Sequence, residues 1–198
     1  RESNVYRLAL NLSEDVDGET LQKALEAILP RFAALRVRLR KGLFWHYLEA
    51  NPGTPQVREE DDYPLRNIEP RQNDHFLFRV TYYRARINLE VFHVLTDGTG
   101  GFQFLQALVC RYLIMKHPDK FTDEEKARQW FARHAQNTED SYVENYTPTK
   151  KASFNIGKGY RIRGERNMLD EVSVVHAYMP VKQLLAFCRE RDVTISQY

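Results

Sequence analysis

Cysteine is nearly absent from this chain: Cys110 and Cys188 are the only thiols in 198 residues, and they lie far apart within helical patterns. No disulfide framework can be built on that number, so two buried thiols in a reduced, cytoplasmic setting are expected. A charge excess of one sign is missing too. Lys and Arg number 29 against 27 Asp and Glu, interleaved to a net +2, which leaves no electrostatic footprint for nucleic acid. No apolar run approaches the ~20 residues of a membrane-spanning helix, and no stretch has the charged-then-apolar build of a signal peptide. Neither nucleic acid nor membrane is an expected partner.

Several chemical signatures are also lacking. There is no H-E-x-x-H or C-x-x-C, so no metal site is expected. No G-x-S-x-G supports a serine hydrolase. The glycines around Gly157-Lys158-Gly159 lack the K-[ST] ending of a phosphate loop. The acidic run Glu59-Glu60-Asp61-Asp62 reads as a solvated loop.

What is present is the composition of a soluble globular protein, 42% hydrophobic and 28% charged, long enough for one good-sized domain or slightly more. The chain opens on Arg1 and closes on Thr194–Tyr198 as though beginning a further element, which reads as a piece of a longer protein.

Val5 to Leu12 alternates, with Tyr6, Leu8, Leu10 and Leu12 on one face, and predicts a strand. Asp17 is placed to cap a helix carrying Leu21, Ala24, Leu25, Ile28 and Phe32, which Pro30 should end or bend. Leu35, Val37 and Leu39 alternate with arginines, and Lys41-Gly42 turns the chain into Leu43–Leu48, a half-buried hairpin. Residues 51–74 read as a loop with at most short edge pairing.

Residues 76–83 and 87–93 form a second hairpin around Arg84-Ala85-Arg86. Gly101 to Lys116 is helical, with Phe102, Leu105, Val109, Tyr112 and Leu113 inward. Residues 117–170 read as a linker or surface excursion with a helical piece near 123–134. A strand at 172–179 and a helix after Pro180 follow.

The segment His93-Val94-Leu95-Thr96-Asp97-Gly98 carries the chemistry. It reads H-x-x-x-D-G and joins a strand exit to a helix start. A strand-end imidazole projects into whatever cleft lies above the sheet edge, while glycine at 98 lets the chain turn and bring Asp97 beneath the same loop. Between Phe92 and Val94, His93 also suits an ordinary core position with both ring nitrogens satisfied. Cys110, inside the following helix, reads as packing rather than nucleophile.

This motif resembles that of the chloramphenicol acetyltransferase-like superfamily, which includes nonribosomal condensation domains, BAHD acyltransferases and alcohol acetyltransferases. The stretch Val16-Asp17 to Leu25 looks like the family's first helix, and Arg31-Phe32-Ala33-Ala34-Leu35-Arg36-Val37-Arg38-Leu39 is similar to its arginine-bearing stretch. The resemblance covers roughly residues 5–115. It implies an α+β fold, a mixed sheet flanked by helices, forming one half of a pseudo-dimeric sandwich. Residues 1–170 would be the N-terminal half, and 171–198 the start of a truncated C-terminal half.

The implied reaction moves an acyl group, acetyl by preference, from a coenzyme A thioester used as co-substrate to an alcohol or amine. No permanently bound cofactor is implied. His93 would be the general base, a role imidazole fills at cellular pH. Asp97 would be structural and paired with Arg36, and Gly98 would serve the loop's backbone. For Arg36 the competing reading is a solvated strand-face residue beside Arg38 and Arg40. Condensation domains carry a second histidine where this chain has Phe92, and an apolar wall there suits a small-molecule acyltransferase.

The missing half of its own chain is an expected partner. Alone, the fragment should be inactive and prone to self-association through an exposed apolar face. Two alternatives remain: a degenerate member kept as a binding module, and an unrelated α+β domain with a structural His93.

Overall fold

A computed structural model describes residues 4–60, 64–121 and 177–198. The chain divides into two compact units, Arg1–Ile162 and Arg163–Tyr198. The expected helical piece at 123–134, nearly all of the linker and most of the strand at 172–179 lie outside the described residues.

In the first unit, strand β1 (Val5–Asn11) leads to helix α1 (Gly18–Ile28). Asp17 starts α1 as expected, its side chain accepting from Thr20 N at 3.0 Å. The helix stops just short of Pro30, which lies in a 3-10 turn over Leu29–Arg31. A hairpin of β2 (Val37–Lys41) and β3 (His46–Ala50) follows, then the two-residue strand β4 (Arg58–Glu59). Strands β5 (Phe78–Tyr83) and β6 (Arg86–Phe92) form the second hairpin, with Arg84 at φ 49° in its turn. Helix α2 (Gly98–Lys116) follows.

The main sheet runs β1-β6-β5-β4 and is mixed: β4 joins β5 in parallel, and the other pairs are antiparallel. The fold is α+β. Register sets its two faces. Tyr6 with Val91, Leu8 with Leu89, and Leu10 with Ile87 lie on the inner face, extended by Phe78 and Val80 of β5. Helix α1 offers Leu21, Ala24, Leu25 and Ile28, a 3-4 spacing that places all four on one stripe. Helix α2 offers Phe104, Leu105, Leu108 and Tyr112. Phe104 meets Phe32 and Phe78 edge to face, with centroids 4.9 and 5.5 Å apart.

The inward face of α2 agrees with the expected one at Leu105, Val109 and Tyr112 and differs at Phe102. Phe102 is 46% exposed, and Phe104 fills the core instead. The helix begins three residues earlier than expected, at Gly98, and its buried side includes 101, 104, 105, 108, 109 and 112. The two helices are joined at their ends by Asp17. Its carboxylate meets Lys116 Nζ at 3.1 Å, and its backbone N–H donates to the Tyr112 hydroxyl at 3.0 Å.

The outer face is polar. Glu90, only 2% exposed, accepts from Arg7 and Arg79 and from the Leu65 N–H. Glu60 joins Arg7, Arg86 and Asn88. Burial opposes ionisation of Glu60, yet hydrogen bonds from Arg7 and Arg86 outweigh it and hold the carboxyl below its ordinary range. Of the acidic run read as a solvated loop, Glu60 is therefore a cross-linking residue of the sheet.

The β2–β3 hairpin is correct in connectivity but differs in burial and extent. It is a separate two-stranded sheet, its second strand starts at His46, and Leu39, Tyr47 and Leu48 are exposed. In the second unit, α3 (Val181–Glu190) starts directly after Pro180, with Cys188 buried and Leu184 and Leu185 half-buried.

Candidate functional site

Strand β6 ends at Phe92, and the next residue is held to the backbone just ahead of its neighbour β1. His93 N–H donates to the Asn4 carbonyl at 2.7 Å, just before β1 begins. A turn follows in which Leu95 N–H donates to the Phe92 carbonyl at 3.0 Å and the Leu95 side chain drops into the core. This turn lifts His93 away from the packed interior, and its side chain is exposed. The core placement weighed for His93 is not the one observed.

The ring is not free-standing. Tyr6 meets it edge to face, with centroids 4.9 Å apart and planes inclined at 61°. The same tyrosine donates its hydroxyl to the Asp97 carbonyl at 2.7 Å. One side chain thus touches the motif at its first member and at the aspartate four residues later. Burial, and then the nearby Asp97 charge, push the Tyr6 hydroxyl up to about 12. It remains a donor throughout the physiological range.

Asp97 is the cap of α2. Its carboxylate accepts from Gly100 N–H at 2.8 Å and its carbonyl from Gly101 N–H at 3.0 Å. A carboxylate at a helix N-terminus also faces the positive end of the helix dipole. The ion pair with Arg36 implied by the resemblance is not formed. Arg36 is exposed and makes no ion pair with Asp97, whose carboxylate turns to the helix it caps.

The glycine constraint also moves. Gly98 is the first residue of α2, does not have positive φ, and a Cβ there would meet nothing within 4 Å. At Gly100 a Cβ would lie 2.0 Å from Thr96 Oγ1, and at Gly101 2.4 Å from the Tyr6 hydroxyl oxygen. The loop thus needs small residues where the helix meets Thr96 and Tyr6, rather than a left-handed turn at Gly98.

Sequence reasoning missed Tyr6, which it counted only as part of an apolar strand face. The usable signal was a hydroxyl-bearing aromatic in inward register beside a glycine-rich helix start. Burial raises the Cys110 thiol, which favours its protonated form and agrees with a packing role. Among the described residues, no group of three or more His, Cys, Asp or Glu side chains is placed to hold a metal.

No protein-family model matches the chain, and no curated protein matches it in sequence. Similarity appears among solved structures. SgcC5 from Streptomyces globisporus is 20% identical over 57% of this chain and 30% of its own, with a TM-score of 0.43. The starter condensation domain of rhizomide synthetase RzmA is 14% identical over 59% of this chain and 34% of its own, at 0.44. A structure described as condensation domain-mediated chain release from the enacyloxin polyketide synthase is 17% identical over 55% and 26%, at 0.39. The chain spans about a third or less of the length of these structures.

Proposed function

We propose that this chain supplies the base-bearing half of an acyltransferase related to condensation domains. The observation that carries this reading is the exposed His93 ring at a strand exit, braced by Tyr6 and followed by a loop that Asp97 clamps to α2. In the proposed reaction His93 takes the proton of an acceptor hydroxyl or amine as that atom attacks a thioester carbonyl. The C–S bond then breaks, and the imidazolium returns the proton to the departing thiolate. General-base assistance of this kind contributes typically ~10²–10⁴ in rate. A coenzyme A thioester is the proposed donor, and a small alcohol or amine the proposed acceptor. The second wall of the substrate channel would come from a C-terminal half.

The unmade Arg36–Asp97 pair favours a second reading, in which the motif is kept for loop structure in a binding module. Thiol release from acetyl-coenzyme A, with a panel of alcohols and amines, separates the two. The chain is assayed alone and with a C-terminal half supplied. Acyl transfer that depends on the added half and falls at least a hundredfold in His93→Ala is the expected result. Equal turnover by wild type and His93→Ala removes the base from the mechanism. No turnover in any combination leaves the binding module.

A further inference from the structure

The β2–β3 hairpin stands outside the main sheet, and two-stranded hairpins are marginally stable in water by themselves. Its tip presents three consecutive apolar residues to solvent: Leu43, Phe44 and Trp45 are 86%, 92% and 59% exposed. Gly42 N–H donates to the Trp45 carbonyl at 2.7 Å, which closes the turn and fixes this tip as a unit. Directly behind it, Lys41 faces His46 across the strands, and Arg40 faces Tyr47.

Charge is unbalanced here although it is balanced in the chain as a whole. Residues 31–50 contain Arg31, Arg36, Arg38, Arg40 and Lys41 against one acid, Glu49. Glu49 is shared by Arg38 and Arg40, at 2.7 and 2.9 Å. Among the described residues, Arg31, Arg36 and Lys41 make no ion pair.

We propose that this hairpin is a peripheral docking element for an anionic lipid surface. The apolar tip enters the boundary of headgroups and acyl chains, the Trp45 indole sits at that boundary, and the unpaired Lys41, with Arg40 of the Glu49 pair beside it, forms a collar at phosphate depth. A purely apolar protein groove would account for the tip and leave the collar of cations without a role. A bilayer that is apolar beneath and negative at its surface matches both. The absence of a spanning run in the sequence does not bear on a surface contact of this kind, which is independent of acyl transfer.

The test uses the full chain carrying Trp130→Phe, which leaves Trp45 as the only tryptophan. Co-sedimentation is measured with phosphatidylcholine vesicles, with and without about 30% phosphatidylserine. Binding to the anionic vesicles, a blue shift of Trp45 emission, and release by salt are expected. Lys41→Ala should weaken binding about fivefold. Phe44→Glu and Leu43→Glu, both at exposed positions and checked by circular dichroism, should each weaken it at least about tenfold. Three outcomes overturn the proposal: no binding to anionic vesicles, binding unchanged in both tip variants, or an unshifted Trp45. A concentration-dependent self-association that the tip variants abolish, without vesicle binding, overturns it in favour of a second copy.

Discussion

Tyr6 donates its hydroxyl to the Asp97 carbonyl at 2.7 Å while the edge-to-face contact of its ring braces His93. Tyr6→Phe keeps the ring and removes the bond, at an expected cost of about 1 kcal/mol because the Asp97 carbonyl still accepts from Gly101. The pH dependence has a defined sign. The folded state favours neutral Tyr6, raised from 10.0 to about 12, so its contribution is complete below pH 10 and lost as pH rises through 12. A tyrosinate absorbance titration of wild type against Tyr6→Phe should isolate one late-titrating hydroxyl. A difference spectrum with its midpoint near 10 would remove the shift.

Gly101→Ala and Gly98→Ala should have opposite effects. A methyl at 101 would lie 2.4 Å from the Tyr6 hydroxyl oxygen, so the ring or the helix must move. The expected loss is about 1–3 kcal/mol. At 98 there is open space and no positive φ, and alanine should stabilise by about 0.4–1 kcal/mol through the unfolded chain. Urea unfolding of both variants checks this, and destabilisation at 98 would restore the backbone role first expected for that glycine.

Asp97 should behave as a cap rather than as an ion-pair partner. Asparagine caps about as well as aspartate, so Asp97→Asn should stay close to wild type, while Asp97→Ala should lose about 0.5–2 kcal/mol. In a double-mutant cycle, the Arg36→Ala and Asp97→Ala effects should add within about 0.5 kcal/mol. A larger coupling energy would mean that the two side chains do meet.

Glu90 anchors the outer face of the sheet. Glu90→Ala removes the nearly buried carboxylate from Arg79 and from Arg7, which keeps Glu60, and a loss of about 1–3 kcal/mol is expected. Acid should act on the same face through Glu60. Its carboxyl lies below 4.5 in the folded state, so its contribution is intact above that value and fades as pH falls through the lower folded one. Acid unfolding followed by circular dichroism, with Glu60→Gln as reference, reads this directly. An identical acid midpoint in the two proteins would count against it.

The elements of the first unit were largely legible because each carries its own period. β1 alternates, α1 repeats at three and four, and Asp17 and Pro30 mark its ends. One position on the face of α2 was misread because Phe102 and Phe104 are equally apolar, and only the seat between Phe32 and Phe78 decides which turns inward. The β2–β3 alternation gave the strands but not their exposure, since a period of two says nothing about whether a covering layer exists. Around His93, the motif marked the loop. The Tyr6 contact joins positions more than 80 residues apart, and no local pattern encodes it.

The register Val5–Phe92 through Asn11–Arg86 has a consequence for synthesis. Strand β1 has its backbone partner in a strand that emerges from the ribosome some 75 residues later, so that pairing must wait until α1 and the first hairpin have been made. The tyrosine brace requires that late pairing as well as the first turn of α2. The imidazole is therefore set in place only late in the folding of this unit, once β6 has paired with β1 and the start of α2 has met Tyr6.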